Sequence, residues 1–206
     1  MKNKIGIMGG TFDPIHNGHL IIAENSRINF DLDKIIFIPT GMPAHKIKNG
    51  ITSNNRRYEM VLLSINSNPY FSISPLEIKR EGITYTIDTI KYLMSKNKDT
   101  EYYFIMGSDS LYNFHKWKDY KELLKLCKFI VAKRPNQNNN KLEESIKELN
   151  NISPSAIQIL ESPMIDISST DIRERISSNK AIKYLVPESV ELYIEKHGLY
   201  RGHYND

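Results

Sequence analysis

Short apolar runs and longer amphipathic stretches take turns along this chain. Ile5–Met8 reads as a buried-type strand, and Gly18–Phe30 as a helix that sorts Leu20, Ile21, Ala23, Glu24 and Ile28 by face. Lys34–Ile38 is a second strand, stopped by Pro39, and Asn54 is a candidate cap for a helix reaching Ile65. Tyr70–Ser74 predicts a short strand, Thr86–Lys96 a helix begun by a hydroxyl, and Tyr102–Met106 a strong β run halted by Gly107-Ser108-Asp109. A helix-rich segment carries Trp117 and continues through Asp119–Cys127. Phe129–Ala132 is the next strand, followed by the polar loop Pro135–Asn140, a helix over Leu142–Leu149, a strand over Ile157–Leu160 and a helix over Ser169–Ile176. The last helix, Pro187–His197, has proline at its start and Gly198 just past its end, the asymmetry expected of helix termini.

Strands alternating with helices predict parallel pairing through right-handed crossovers, hence an α/β, Rossmann-like doubly wound sheet. With no internal repeat and no dividing linker, residues 1–206 read as a single domain. The net charge of +4 is mild and scattered, without the basic stripe of a nucleic-acid binder, and it suits small anionic substrates. The lone Cys127 excludes an internal disulfide and a cysteine-rich metal site, and an inert, partly buried thiol is expected there. No apolar run approaches the roughly 18 residues that span a bilayer. The chain enters its first strand with no signal-peptide pattern, so a cytoplasmic location without a membrane partner is expected.

The candidate chemistry lies in two strings. The first is Gly9-Gly10-Thr11-Phe12-Asp13-Pro14-Ile15-His16-Asn17-Gly18-His19, directly behind the first strand. In a doubly wound sheet, ligands bind beyond the carboxyl ends of the strands, and this string sits at such an end. Glycines there let the backbone approach a phosphate, and a helix start offers N–H groups and partial positive charge. His16 and His19 have the spacing that brings two imidazoles to one side of a helix start. The second string, Ile167-Ser168-Ser169-Thr170-Asp171-Ile172-Arg173, puts three hydroxyls and an arginine at another helix start, the composition of an anion nest. Singly, each has a bland reading, a helix cap or an exposed arginine; together they read as two walls of a triphosphate site.

With these strings the chain resembles the nucleotidyltransferase superfamily that carries the HxGH signature. Within it, the chain is similar to the bacterial nicotinate-nucleotide adenylyltransferase family. The likeness spans essentially the whole chain and includes Tyr85-Thr86-Ile87-Asp88-Thr89, Gly107-Ser108-Asp109-Ser110 with Trp117, and Lys133-Arg134-Pro135. One departure is Pro43-Ala44-His45-Lys46, where a second proline would be expected.

The resemblance implies a Rossmann-like fold of the nucleotidyltransferase type. It also implies transfer of the adenylyl group of ATP to nicotinate mononucleotide, giving deamido-NAD and pyrophosphate. By the same resemblance, His16, His19 and Arg173 are catalytic. ATP would lie against Gly9, Gly10, Thr11, Phe12, His16, Gly18, His19, Gly107, Asp109, Ile167, Ser168, Ser169, Thr170 and Arg173. Nicotinate mononucleotide would meet Thr86, Trp117 and Asp109, with His45, Lys46 and Arg134 as further candidates. Mg²⁺ is expected to arrive on the ATP phosphates, since no carboxylate cage stands out. A homo-oligomer is an expectation by analogy alone. The rival readings are an enzyme preferring nicotinamide mononucleotide or another phosphate acceptor, and a nucleotide-binding regulator without turnover.

Overall fold

The computed structural model describes residues 2–43, 50–133, 139–163 and 165–202. In chain order the elements are β1 (Asn3–Gly10), α1 (Asn17–Asn29), β2 (Lys34–Pro39), β3 (Met42–Pro43), α2 (Asn54–Ile65), β4 (Phe71–Ile73), β5 (Ile83–Thr84) and α3 (Thr86–Lys96). They continue with β6 (Thr100–Gly107), α4 (Ser108–Tyr112), α5 (Tyr120–Leu126), β7 (Lys128–Ala132), α6 (Asn139–Ile152), β8 (Ile157–Leu160), α7 (Ser169–Ser177) and α8 (Glu188–Lys196). Among the described residues, six strands form one sheet in the order β4-β2-β1-β6-β7-β8, and every neighbouring pair is parallel.

β1 lies between β2 and β6, with Ile7 opposite both Ile36 and Phe104. The chain winds outward from β1 to one edge, then returns to its other side with β6. That reversal is the topological switch point, where crossovers on opposite faces diverge and leave a crevice at the strands' carboxyl ends.

Strand alternation divides the core into two layers. Along β6, Tyr103 and Ile105 join the layer filled by Ala23 of α1, Met60 and Val61 of α2, Ile172 of α7 and Val190 of α8. Tyr102, Phe104 and Met106 face the other, with Ile87 and Ile90 of α3, Leu111 of α4, Leu123 of α5 and Leu142 of α6. Complete burial of a side chain such as Ile7 or Phe129 contributes roughly 1.5–3 kcal/mol each. A sheet apolar on both faces needs both layers, which is the doubly wound architecture expected from the alternation.

The structure departs from the sequence reading locally. β1 runs past the expected Ile5–Met8 to end in Gly9 and Gly10, opposite Ile38 and Pro39, and the turn follows from Thr11. Ser53, not Asn54, is the capping residue of α2, and the Asn54 side chain instead accepts a 2.6 Å hydrogen bond from Arg57. Trp117 is extended and closes a 3₁₀ turn over Phe114–Lys116 rather than lying in a helix. The β3–β5 pair, too short to show a period, had no sequence signal. Cys127 ends α5 buried, with its thiol pushed well above the usual range by that burial.

Candidate active site

The crevice at the switch point is a cleft of about 760 Å³. Its floor is the carboxyl ends of β1 and β6, with Gly9, Gly10 and Gly107. One wall is the start of α1, with His16, Gly18 and His19; another carries Thr84, Tyr85 and Thr86 from β5 and the start of α3. Asp109 and Trp117 line it beyond β6, Lys133 beyond β7, and Ile167 before α7.

His16 caps α1 in extended backbone and His19 lies in its first turn, so the two imidazoles stack with centroids 3.7 Å apart. The His16 backbone N–H donates to His19 Nδ1 at 3.3 Å. A nitrogen that accepts cannot also carry the proton, so the neutral His19 ring holds its proton on Nε2. Gly18 leaves room for the stack: a Cβ there would stand 3.0 Å from His16 Nδ1, tighter than ordinary contact. Phe12, with φ of 52°, sits in the left-handed region, strained for a bulky residue. The strained turn puts the Phe12 ring edge-on to His19 at 5.1 Å and against Phe37 at 6.0 Å, so the ring is buried support for His19.

The loop between β1 and α1 is held from three distant places. Arg57 of α2 is fully buried, and its guanidinium donates to the carbonyls of Thr11 at 2.6 Å, Thr40 at 2.7 Å and Thr52 at 3.0 Å. Burial draws its pKa below the usual arginine value, opposed by the charge of Asp13. Asp13, itself buried, accepts from the Tyr200 hydroxyl at 2.7 Å and from the Thr52 N–H at 3.4 Å. From α7, Arg173 Nη1 donates to the Asp13 carbonyl at 2.7 Å and Ser169 Oγ to the Pro14 carbonyl at 2.9 Å.

The second string therefore meets the first, but its hydroxyls serve the protein. Ser168 Oγ caps α7 by accepting the Asp171 N–H at 3.1 Å, and Thr170 Oγ1 accepts from Arg173 at 3.3 Å. Of this string, Ile167 lines the cleft, while Ser168, Ser169, Thr170 and Arg173 are not among its lining residues.

On the opposite side, Tyr85 caps α3 and Thr86 opens it, so the helix N-terminus faces the cleft near Trp117. The indole is held edge-on by Phe104 at 5.7 Å and tilted on Phe114 at 5.1 Å. Lys118 lies over the Tyr85 ring at 4.6 Å and pairs with Asp88 at 3.3 Å, tying the Trp117 loop to the first turn of α3. Asp109 is exposed in the first turn of α4. His45, Lys46 and Arg134 lie outside the described residues.

Sequence reasoning missed Arg57, Tyr200 and the anchoring role of Asp13. For Arg57 a signal existed: it falls on the α2 face that buries Met60, Val61 and Ser64, where a charge must have a purpose. For Tyr200 nothing local pointed to the loop between β1 and α1.

Residues 7–175 match the cytidylyltransferase-like family. Two curated relatives are called probable nicotinate-nucleotide adenylyltransferase. One, from Thermoanaerobacter sp. (strain X514), is 48% identical over 96% of this chain and 94% of its own length. The other, from Moorella thermoacetica, is 49% identical over 96% of this chain and 92% of its own. Among solved structures, the fold is similar to Plasmodium falciparum nicotinic acid mononucleotide adenylyltransferase complexed with NaAD. That likeness has a TM-score of 0.77 and 21% identity, covering 96% of this chain and 97% of that one.

Proposed function

The chain belongs to the cytidylyltransferase-like family, and we propose that it transfers the adenylyl group of ATP to nicotinate mononucleotide, yielding nicotinate adenine dinucleotide and pyrophosphate. The observation that carries this reading is a single cleft joining the His16–His19 stack to Thr86 and Trp117. One end suits phosphates, the other a flat anionic ring, and adenylyl transfer must bring the two together. The names of the relatives support the same acceptor.

The acceptor's 5′-phosphate oxygen attacks the α-phosphorus of ATP in line. An O–P bond forms, the α–β bridging bond breaks, and pyrophosphate leaves with the electron pair. No protein nucleophile is needed; alignment and charge stabilisation suffice. His19, with its proton on Nε2, donates to an oxygen of the transferring phosphoryl group as charge builds there. His16 packs that ring in place. Gly9, Gly10 and Thr11 offer backbone at the phosphates, and Gly18 lets helix α1 start against them. Arg173 braces the phosphate loop through the Asp13 carbonyl and supplies positive charge toward the departing β and γ phosphates. Ile167, Ser168, Ser169 and Thr170 set the end of α7 that carries it.

The acceptor's ring stacks on Trp117 and its carboxylate meets the α3 N-terminus at Thr86, a partially positive end. Asp109 accepts from ribose hydroxyls. His45, Lys46 and Arg134 remain candidate contacts for the acceptor's phosphate on sequence grounds. ATP enters as its Mg²⁺ complex; among the described residues no group of three acidic, histidine or cysteine side chains is placed to hold a metal. No helix among them is long and apolar enough to cross a membrane, and the use of ATP suits the cytoplasm.

The test is pyrophosphate release with Mg²⁺–ATP, comparing nicotinate and nicotinamide mononucleotides. Strong preference for the acid supports the reading. Turnover with the amide alone overturns the acceptor, and ATP binding without turnover would favour a regulator.

A further inference from the structure

Glu77 is a buried carboxylate on the edge of the cleft, in a region meant for anionic ligands. An acid there works against substrate electrostatics unless it builds something. Its Oε1 accepts a 2.8 Å hydrogen bond from Thr89 Oγ1, and Arg80 donates to the same hydroxyl at 3.2 Å. Burial pushes its carboxyl above the usual range, while Thr89, Arg80 and the Thr84 hydroxyl pull the other way. The Glu77 backbone is wedged as firmly: its carbonyl oxygen would stand 2.2 Å from a Cβ placed on Gly41, so the loop after β2 closes on it only because residue 41 is glycine. Glu77 thus reaches α3 through Thr89, in the opening turns of the helix that Thr86 begins.

Resting on the acceptor reading of Thr86, we propose that Glu77 is a positioning residue for acceptor binding: through Thr89 it fixes the N-terminus of α3 where the acceptor's carboxylate is received. It does so without meeting the acceptor itself. The Thr89 hydroxyl, buried and held by two partners, transmits the constraint to the helix.

The experiment is equilibrium titration with nicotinate mononucleotide, read by the fluorescence of Trp117, the sole tryptophan. ATP affinity is measured in parallel. Glu77→Ala and Thr89→Val should each raise the acceptor Kd about tenfold, the size of losing a hydrogen bond to a charged group. ATP affinity should hold. Glu77→Gln, whose amide oxygen still accepts from Thr89, should bind close to the unsubstituted protein. Thr89→Val is nearly isosteric and carries the test should Glu77→Ala fail to fold. Unchanged acceptor binding in Glu77→Ala or Thr89→Val would overturn the proposal, as would equal losses for ATP and acceptor. Loss in Glu77→Ala with normal Thr89→Val would also overturn it, by making Glu77 a direct contact. No binding to the unsubstituted protein would overturn the acceptor reading, and this proposal with it.

Discussion

The Tyr200 hydroxyl donates a 2.7 Å hydrogen bond to Asp13 Oδ1, linking residues 187 positions apart. Through this bond the end of the described chain is fastened to the loop that bears the His16–His19 stack. The contact is buried, and both the desolvation and the Asp13 charge push the phenol well above the usual tyrosine range. It stays a donor at any working pH.

Tyr200→Phe leaves the ring in place and removes only that donor. Stability should fall by about 1–3 kcal/mol, the cost of leaving a buried acceptor short of a partner. Urea denaturation measures this, and the KM for ATP should rise with it. An unchanged midpoint would show that Asp13 needs no support from Tyr200.

Arg57→Lys keeps the charge but not the fork. A lysine ammonium cannot reach the carbonyls of Thr11, Thr40 and Thr52 together. Stability should fall by about 3 kcal/mol, since buried carbonyls left without a donor cost roughly 1–3 kcal/mol each. Near-normal unfolding would mean that the buried guanidinium is dispensable.

His19→Ala should lower kcat by about 10² to 10³, the usual effect of removing one donor from a developing oxyanion. Far-UV circular dichroism should be unchanged, because the side chain is only half-buried. Turnover close to normal would remove His19 from the chemistry.

Gly18→Ala probes the same stack without touching either imidazole. Its Cβ at 3.0 Å from His16 Nδ1 forces that ring to move. Turnover should drop at least tenfold, about 1.4 kcal/mol in the barrier, with little change in Tm. Unaltered kinetics would show that the stacked geometry is not needed.

Trp117→Ala should raise the KM for nicotinate mononucleotide and leave that for ATP nearly constant, with a loss near 1 kcal/mol from ring stacking alone. A change confined to ATP would place the acceptor elsewhere in the cleft.

The alternation of apolar strands with amphipathic helices was enough to read a doubly wound parallel sheet. The GGTFDPIHNGH and ISSTDIR strings were enough to point to the cleft beyond the carboxyl end of β1. Both are local: periodicity is set by residues within a turn or two, and a motif by its immediate neighbours. Thr86 and Trp117, the proposed acceptor end, were singled out only through family resemblance, because they lie on separate elements with no shared period. What holds the site was decided by the tertiary structure. Asp13, the Thr52–Arg57 stretch and Tyr200 come from three parts of the chain, as do Gly41, Glu77 and Thr89. Such contacts depend on how crossovers fold onto the sheet, and on the need to satisfy every polar group carried inside with them. A charge on the apolar face of α2 announced that some partner must exist; only the packed chain could say that it was the backbone of the loop between β1 and α1.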